Sequence, residues 1–238
     1  MKPSSIVRHR GFTLLETVIA IGVLAVLLTG FMVVFAPAAD GIRKSLNVQQ
    51  ADRLASTLEE ELVTLRTGQA TGSIKTGFDK SFDWIKSANT ATNALFVYQY
   101  RGKVSSLRPD GTPTPEPMVK DNLPGKDYVV MPMMRRKSDP NFAGDLAAVE
   151  GAVYLVKCTQ LIFNGGQLTT GTAGSIKDPK TGTVAASSDV YPEAVIAFSA
   201  EFHIMPAKTP GYFDSAAFNT KFTGAKNPVF TRNLAVRR

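Results

Sequence analysis

From Thr17 to Ala39 the chain runs for 23 residues without a charged side chain. A helix crosses a bilayer in about 20 residues, so this run is long enough to span a membrane. The apolar region of a cleaved secretory signal is shorter, about 7–15 residues. The stretch therefore reads as a retained span. Ahead of it, residues 1–11 carry Lys2, Arg8 and Arg10 and no acid. Basic flanks stay on the cytoplasmic side, which puts Met1–Arg10 inside and the chain after Pro37 outside. Arg43 and Lys44 beyond the span make that asymmetry three against two. A rival reading rests on Ala36-Pro37-Ala38, a small-residue site of the kind that ends a signal peptide. Cleavage after Ala38 would release a secreted soluble protein.

Glu16 is the only charge between Phe12 and Ala36. A carboxylate at the bilayer centre costs about 2.5–3.5 kcal/mol on insertion scales, and less near the interface. Either it reaches water at the cytoplasmic face or it has a cationic partner. A backbone amine freed at Phe12 by proteolysis would be such a partner. Within one helix the amine and Glu16 lie along the axis, so the pairing belongs between staggered subunits of a helical bundle, where it would set their register.

The run Arg10-Gly11-Phe12-Thr13-Leu14-Leu15-Glu16, followed by the apolar stretch, resembles the prepilin-type cleavage and methylation motif of type IV pilins and type II secretion pseudopilins. The resemblance covers Met1 to about Arg66. It implies that a membrane-embedded aspartyl prepilin peptidase cuts between Gly11 and Phe12 and N-methylates Phe12. Gly11 suits the scissile position because it has no side chain to hold the backbone away from the catalytic groups. Glu16 matches the glutamate that attracts the N-terminus of a neighbouring subunit. The implied partners are the peptidase, other pilin or pseudopilin subunits, an inner-membrane assembly platform and membrane lipid. The head would sit in the periplasm, and the assembled filament in the periplasm or at the cell surface.

Beyond the span, Ala51, Leu54, Ala55, Leu58, Leu62 and Leu65 fall on one helical stripe. They predict a helix running to Thr67, stopped by Gly68 and kinked or locally melted at Pro37. After Gly68 the pattern becomes short apolar runs divided by turn residues. Ala94–Tyr100, Tyr128–Met134, Ala152–Phe163 and Ala194–Met205 read as strands, and Asn164-Gly165-Gly166 as a hairpin turn into Gln167–Thr170. Residues 108–126, with five prolines, and residues 165–189 read as loops, the second as a disordered excursion. The fold class expected is α+β: a long N-terminal transmembrane and amphipathic helix packed on a small antiparallel sheet, as in pilins. The divisions are a leader at 1–11, a membrane or filament-core helix at 12–36, its amphipathic extension at 37–67 and a β-rich head at 68–238.

The formal net charge is +7, but without the three basic residues of the leader 24 basic side chains face 20 acidic ones. That balance is no nucleic-acid footprint, which needs a concentrated basic stripe. Arg135-Arg136-Lys137 and Arg237-Arg238, with Phe142 and Phe230 nearby in sequence, read as a solvated loop and a charged terminus. A DNA-uptake minor pilin is the alternative if the first three gather on one face. These clusters could equally meet the acidic Glu59-Glu60-Glu61 of a neighbour.

Cys158 is the only cysteine, so no internal disulfide forms and the thiol reads as a buried hydrophobe. His9 and His203 are the only histidines, and His203 reads as a half-exposed strand residue. Asp139, Asn141 and Asp145 begin like a calcium loop but lack the glycine and glutamate of an EF-hand. Asp178, Asp189 and Asp214 are further calcium candidates only because some major pseudopilins bind calcium in their C-terminal loops. The expectation is a non-enzymatic filament subunit without cofactor or metal. The mature length of 227 residues and the missing disulfide resemble a minor pseudopilin more than an adhesive pilin.

Overall fold

The computed structural model describes residues 13–70, 72–117 and 128–238. In chain order the elements are α1 (Leu14–Val63), α2 (Gly77–Ser87), β1 (Leu95–Leu107), β2 (Pro113–Pro115), β3 (Tyr128–Arg136), α3 (Phe142–Leu146), β4 (Val149–Asn164), β5 (Gln167–Thr170), β6 (Val195–Ile204), α4 (Pro210–Phe213), α5 (Ala216–Gly224) and β7 (Phe230–Arg237). The chain divides after Leu46 into two units, and α1 contributes to both.

In the first unit, α1 is apolar on all sides and its large side chains are exposed from Leu14 through Phe35. It is long and apolar enough to cross a membrane by length and composition. Of the kink or local melting expected at Pro37, the melting does not occur: Pro37 lies inside the helix without ending it. A proline removes one amide donor and crowds the carbonyl four residues back, yet the turns on both sides are helical.

The second unit, Asn47–Arg238, is an α+β head. All seven strands pair antiparallel, in the order β2-β1-β4-β6-β7, with β3 also on β1 and β5 on β4. One sheet face meets the C-terminal part of α1 and α2. Ala51, Leu54, Ala55, Leu58 and Leu62 are all fully buried there against Leu95, Val97, Tyr154, Val156 and Phe202. Burying each leucine contributes about 1.5–3 kcal/mol, so three of them alone hold the helix firmly. Tyr154 adds a hydroxyl bond to the Asn47 carbonyl at 2.9 Å.

Alternation along β1 sends Phe96, Tyr98 and Tyr100 to the opposite face. There they pack with Phe142 of α3, Phe213 of α4 and Phe218 and Phe222 of α5. Phe96 stacks on Phe142 at 4.7 Å and meets the edge of Phe213 at 5.0 Å. The short helices α3 to α5 exist to cover this second face, and none was read from the sequence.

The four expected strands and the hairpin into β5 are present, several extended beyond their apolar runs. The helix stops at Val63, four residues before Thr67, and Leu65 is half-buried outside it. Two loop expectations fail. β2 forms within the proline-rich stretch, while residues 118–127 lie outside the described residues. The excursion at 165–189 is largely exposed but is anchored to the head at several points rather than disordered. Ile176 is fully buried, and the Gln160 side chain brackets the Lys177 backbone with two 2.7 Å hydrogen bonds. The Ser188 hydroxyl donates to Asp79 at 2.6 Å.

Candidate functional site

Gly11 and Phe12, the expected cleavage and methylation positions, lie outside the described residues. The helix begins immediately after Thr13. The Thr13 hydroxyl accepts the Glu16 amide at 3.2 Å, and the Thr13 carbonyl accepts the Thr17 amide at 3.1 Å. Thr13-Leu14-Leu15-Glu16 thus has the spacing of a capped helix start, with a hydroxyl at the cap and a carboxylate three residues on. A negative charge in the first turn also suits the positive end of the helix dipole. Glu16 is exposed and is the lone acid in the apolar stretch of α1 before Asp40. This geometry offers a carboxylate in the first turn of α1, and beyond it a surface suited to lipid or to other apolar helices.

The basic run at 135–137 is not a surface patch, and this overturns both the solvated-loop reading and the DNA-binding one. Arg135 is 1 % exposed. Its Nε donates to Asp145 at 2.6 Å, its Nη1 to Asp110 and Asp139 at 3.0 Å each, and its Nη2 to Thr112 at 3.0 Å. Asp145, itself fully buried, also accepts from Arg108 at 2.6 Å and from the Tyr98 hydroxyl at 2.7 Å. Burial alone would raise the Asp110 carboxyl, but the Thr112 hydroxyl and amide and the Arg135 guanidinium outweigh it and hold it low. Burial and the Asp145 charge push the Tyr98 hydroxyl well above its ordinary range.

Arg136 reaches Asp83 at 2.6 Å and stacks on Trp84 at 4.5 Å, while Lys137 pairs with Asp214 at 3.4 Å. Asp139, Asn141 and Asp145, considered as calcium ligands, are therefore committed to the arginine network. Asn141 donates to Asp110 at 3.1 Å. Asp178 closes its own turn onto Lys180 and Thr181, and Asp189 is exposed. Among the described residues no three His, Cys, Asp or Glu side chains converge as a metal site.

The other charged candidates also part company. Glu61 is buried against Arg66, while Glu60 is exposed, so 59–61 form no common acidic face. Arg238, though exposed, folds back on the head, donating to the Ser188 carbonyl at 2.6 Å with its guanidinium 4.7 Å from the Phe78 ring. Arg237 is exposed as well. Cys158 is fully buried as expected, and burial pushes its thiol up to about 12. His203 is 3 % exposed rather than half-exposed, because the 225–229 segment after α5 passes beside the end of β6.

Sequence reasoning missed one corner of the head entirely. α1 has no basic residue in its last turn, and its final carbonyls are capped from α2. Lys80, 1 % exposed, donates to the Glu61 carbonyl at 2.6 Å and to the Thr64 carbonyl. The Ser81 hydroxyl donates to the Leu62 carbonyl at 2.9 Å. Burial pushes the Lys80 ammonium down to about 8, the Glu61 charge resisting. The signal was available in Thr76-Gly77-Phe78-Asp79, where the Thr76 and Asp79 side chains cap each other's backbone reciprocally.

In comparisons with known proteins, residues 6–32 match the family model described as the prokaryotic N-terminal methylation motif. That stretch includes Gly11, Phe12 and Glu16 and is a minor share of the chain. No curated protein matches, and no solved structure matches.

Proposed function

We propose that the chain is the precursor of a filament subunit of pilin type, most closely a minor pseudopilin. In this reading prepilin peptidase cuts between Gly11 and Phe12 and methylates Phe12. The product waits in the cytoplasmic membrane, head outward, until it joins a pilus-like or secretion filament. The observation that carries the proposal is the match to the N-terminal methylation motif over residues 6–32. The exposed apolar length of α1 ahead of a folded head supports it.

Each residue then has a role that follows from its chemistry. The apolar helix is soluble in lipid and packs equally well among like helices. Glu16 supplies the one charge that distinguishes a correct stagger from a wrong one, by meeting the Phe12 amine of a neighbour. The head contributes a surface, and no chemical step is assigned to it. The DNA-uptake alternative required a shared basic face at 135–137, which the ion pairs of these residues remove.

The test is the mass of the N-terminal peptide of the protein taken from membranes of its native host. A peptide starting at methylated Phe12 is the expected result. A start at Ala39 would mean a secreted soluble protein and would overturn the proposal.

A further inference from the structure

Behind the end of β6 the head holds a recess of about 270 Å³, lined by His203, Lys221, Gly224, Lys226, Asn227 and Val229. The buried arginines of the head are matched by acids within the chain, as the arginine network shows. Lys221 and Lys226 are exposed and have no acidic partner among the described residues. A third cation, Lys157, lies alongside, donating to the Ala225 carbonyl at 3.2 Å with its ammonium 5.2 Å from the Phe222 ring. At the inner wall, His203 Nε2 is buried, stands 3.5 Å from the nearest carboxylate oxygen of Glu201 and makes no hydrogen bond. Buried polar atoms nearly always have a partner, and the long approach to Glu201 leaves this imidazole nitrogen only weakly satisfied beside a polar recess.

We infer that this recess is a binding site for a compact oxyanion, a phosphate or a carboxylate, held by Lys221 and Lys226 with His203 at its floor. Three lysines against the single acid Glu201 leave the site positive, and each ammonium can give a charge-assisted hydrogen bond to an oxyanion. The inference is independent of the filament reading. A free inorganic anion and an acidic side chain of a neighbouring subunit share this chemistry.

Binding should tighten as the pH falls. Burial and the nearby Lys157 charge keep His203 below its ordinary range, while Glu201 and the Asn227 backbone oppose them. A bound anion adds to the opposing side, so it raises the His203 midpoint, and protonating the ring strengthens anion binding in return.

The experiment uses the full chain in detergent micelles, whose only imidazoles are His9 and His203. A His9→Ala variant assigns the ring signals by NMR. Inorganic phosphate and acetate are then titrated separately. A saturable shift of the His203 ring signals, with an upward shift of its midpoint, is expected from at least one anion. The Lys221→Gln/Lys226→Gln variant should weaken that response about tenfold or more, since two charge-assisted bonds are lost. Both lysines are exposed, so the variant should keep the native Trp84 fluorescence. A response to phosphate identifies a phosphate ligand. A response to acetate alone identifies a carboxylate, such as an acidic side chain. No response to either anion, or a full response in the double variant, overturns the site.

Discussion

Gly77 makes a sharp test of the corner between α1 and α2, because two ordinary effects there oppose each other. Alanine in the first turn of a helix is normally better than glycine by about 0.5–1 kcal/mol. At Gly77 an added Cβ would stand 2.8 Å from the Val63 carbonyl carbon, 3.1 Å from its Cα and closer still to its oxygen. These are backbone atoms and cannot rotate away. Nor can α2 retreat freely, since Lys80 and Ser81 tie it to the carbonyls of Glu61, Leu62 and Thr64. Overpacking typically costs about 1–3 kcal/mol, and each loosened hydrogen bond about 1 kcal/mol more. Gly77→Ala should therefore destabilise the head by about 1–3 kcal/mol, or about 2–12 °C in Tm for a domain of this size. Trp84 is the chain's single tryptophan and lies 4.4 Å from the Lys80 ammonium, so its fluorescence reports unfolding of this corner directly. The control is Gly211→Ala in α4, where an added Cβ meets nothing within 4 Å. It should be neutral or mildly stabilising. A Gly77→Ala variant as stable as the original chain would refute the close approach and the account of the corner built on it.

Three other measurements probe the interior. Asp145→Ala removes the carboxylate shared by Arg135, Arg108 and Tyr98, and should cost about 3–5 kcal/mol in chemical denaturation, as expected for breaking a buried ion pair. A loss below about 1 kcal/mol would mean the network is not structural. Lys80 binds fewer protons folded than unfolded between about 8 and about 10.5, so its contribution to stability rises with pH across that window, by at most about 3 kcal/mol. Comparing the chain with Lys80→Met from pH 7 to 11 should show the original gaining on the variant, and parallel curves would contradict this. The Cys158 thiol, buried and pushed up to about 12, should resist iodoacetamide in the native state and react only as fast as the head opens. Rapid native labelling would show that β4 is accessible.

The sequence was most legible where a single periodicity governs many residues. The apolar span, the stripe from Ala51 to Leu62 and the four strand runs each repeat one physical demand, burial on a fixed face, and all were readable. The second layer and the edge strand β7 were not, because their evidence is thin and local. α5 buries only Phe218 and Phe222, one turn apart, and β7 only Leu234 and Val236. Two residues do not establish a period. Electrostatics misled for a different reason. Arg135, Arg136 and Lys137 are neighbours in sequence, but their acids come from positions 83, 110, 139, 145 and 214. A charged run looks solvated until the topology brings its partners to it, and local sequence carries no record of that.

The proposed role of Glu16 leads to one further test, because apolar packing cannot by itself choose a register. Along Leu14–Phe35 the exposed side chains are almost uniformly apolar, and lipid tails satisfy them as well as another helix does. Sliding one such helix past another changes little burial energy. A carboxylate is different: in hydrocarbon it costs about 2.5–3.5 kcal/mol near the bilayer centre, and a neighbour's free amine offsets that cost at only one stagger. Glu16→Gln keeps the size and hydrogen-bonding capacity of the side chain but removes its charge. On the proposed reading it should be cut at Gly11 normally, yet enter filaments as poorly as Glu16→Ala in a crosslinking or sheared-filament assay. A Gly11→Leu precursor should also stay out of filaments, with its leader retained, because no free amine is made at Phe12. If Glu16→Gln assembles as well as the unaltered chain while Glu16→Ala does not, the carboxylate acts as a hydrogen-bond acceptor alone. Charge pairing would then have to be given up as the source of the register.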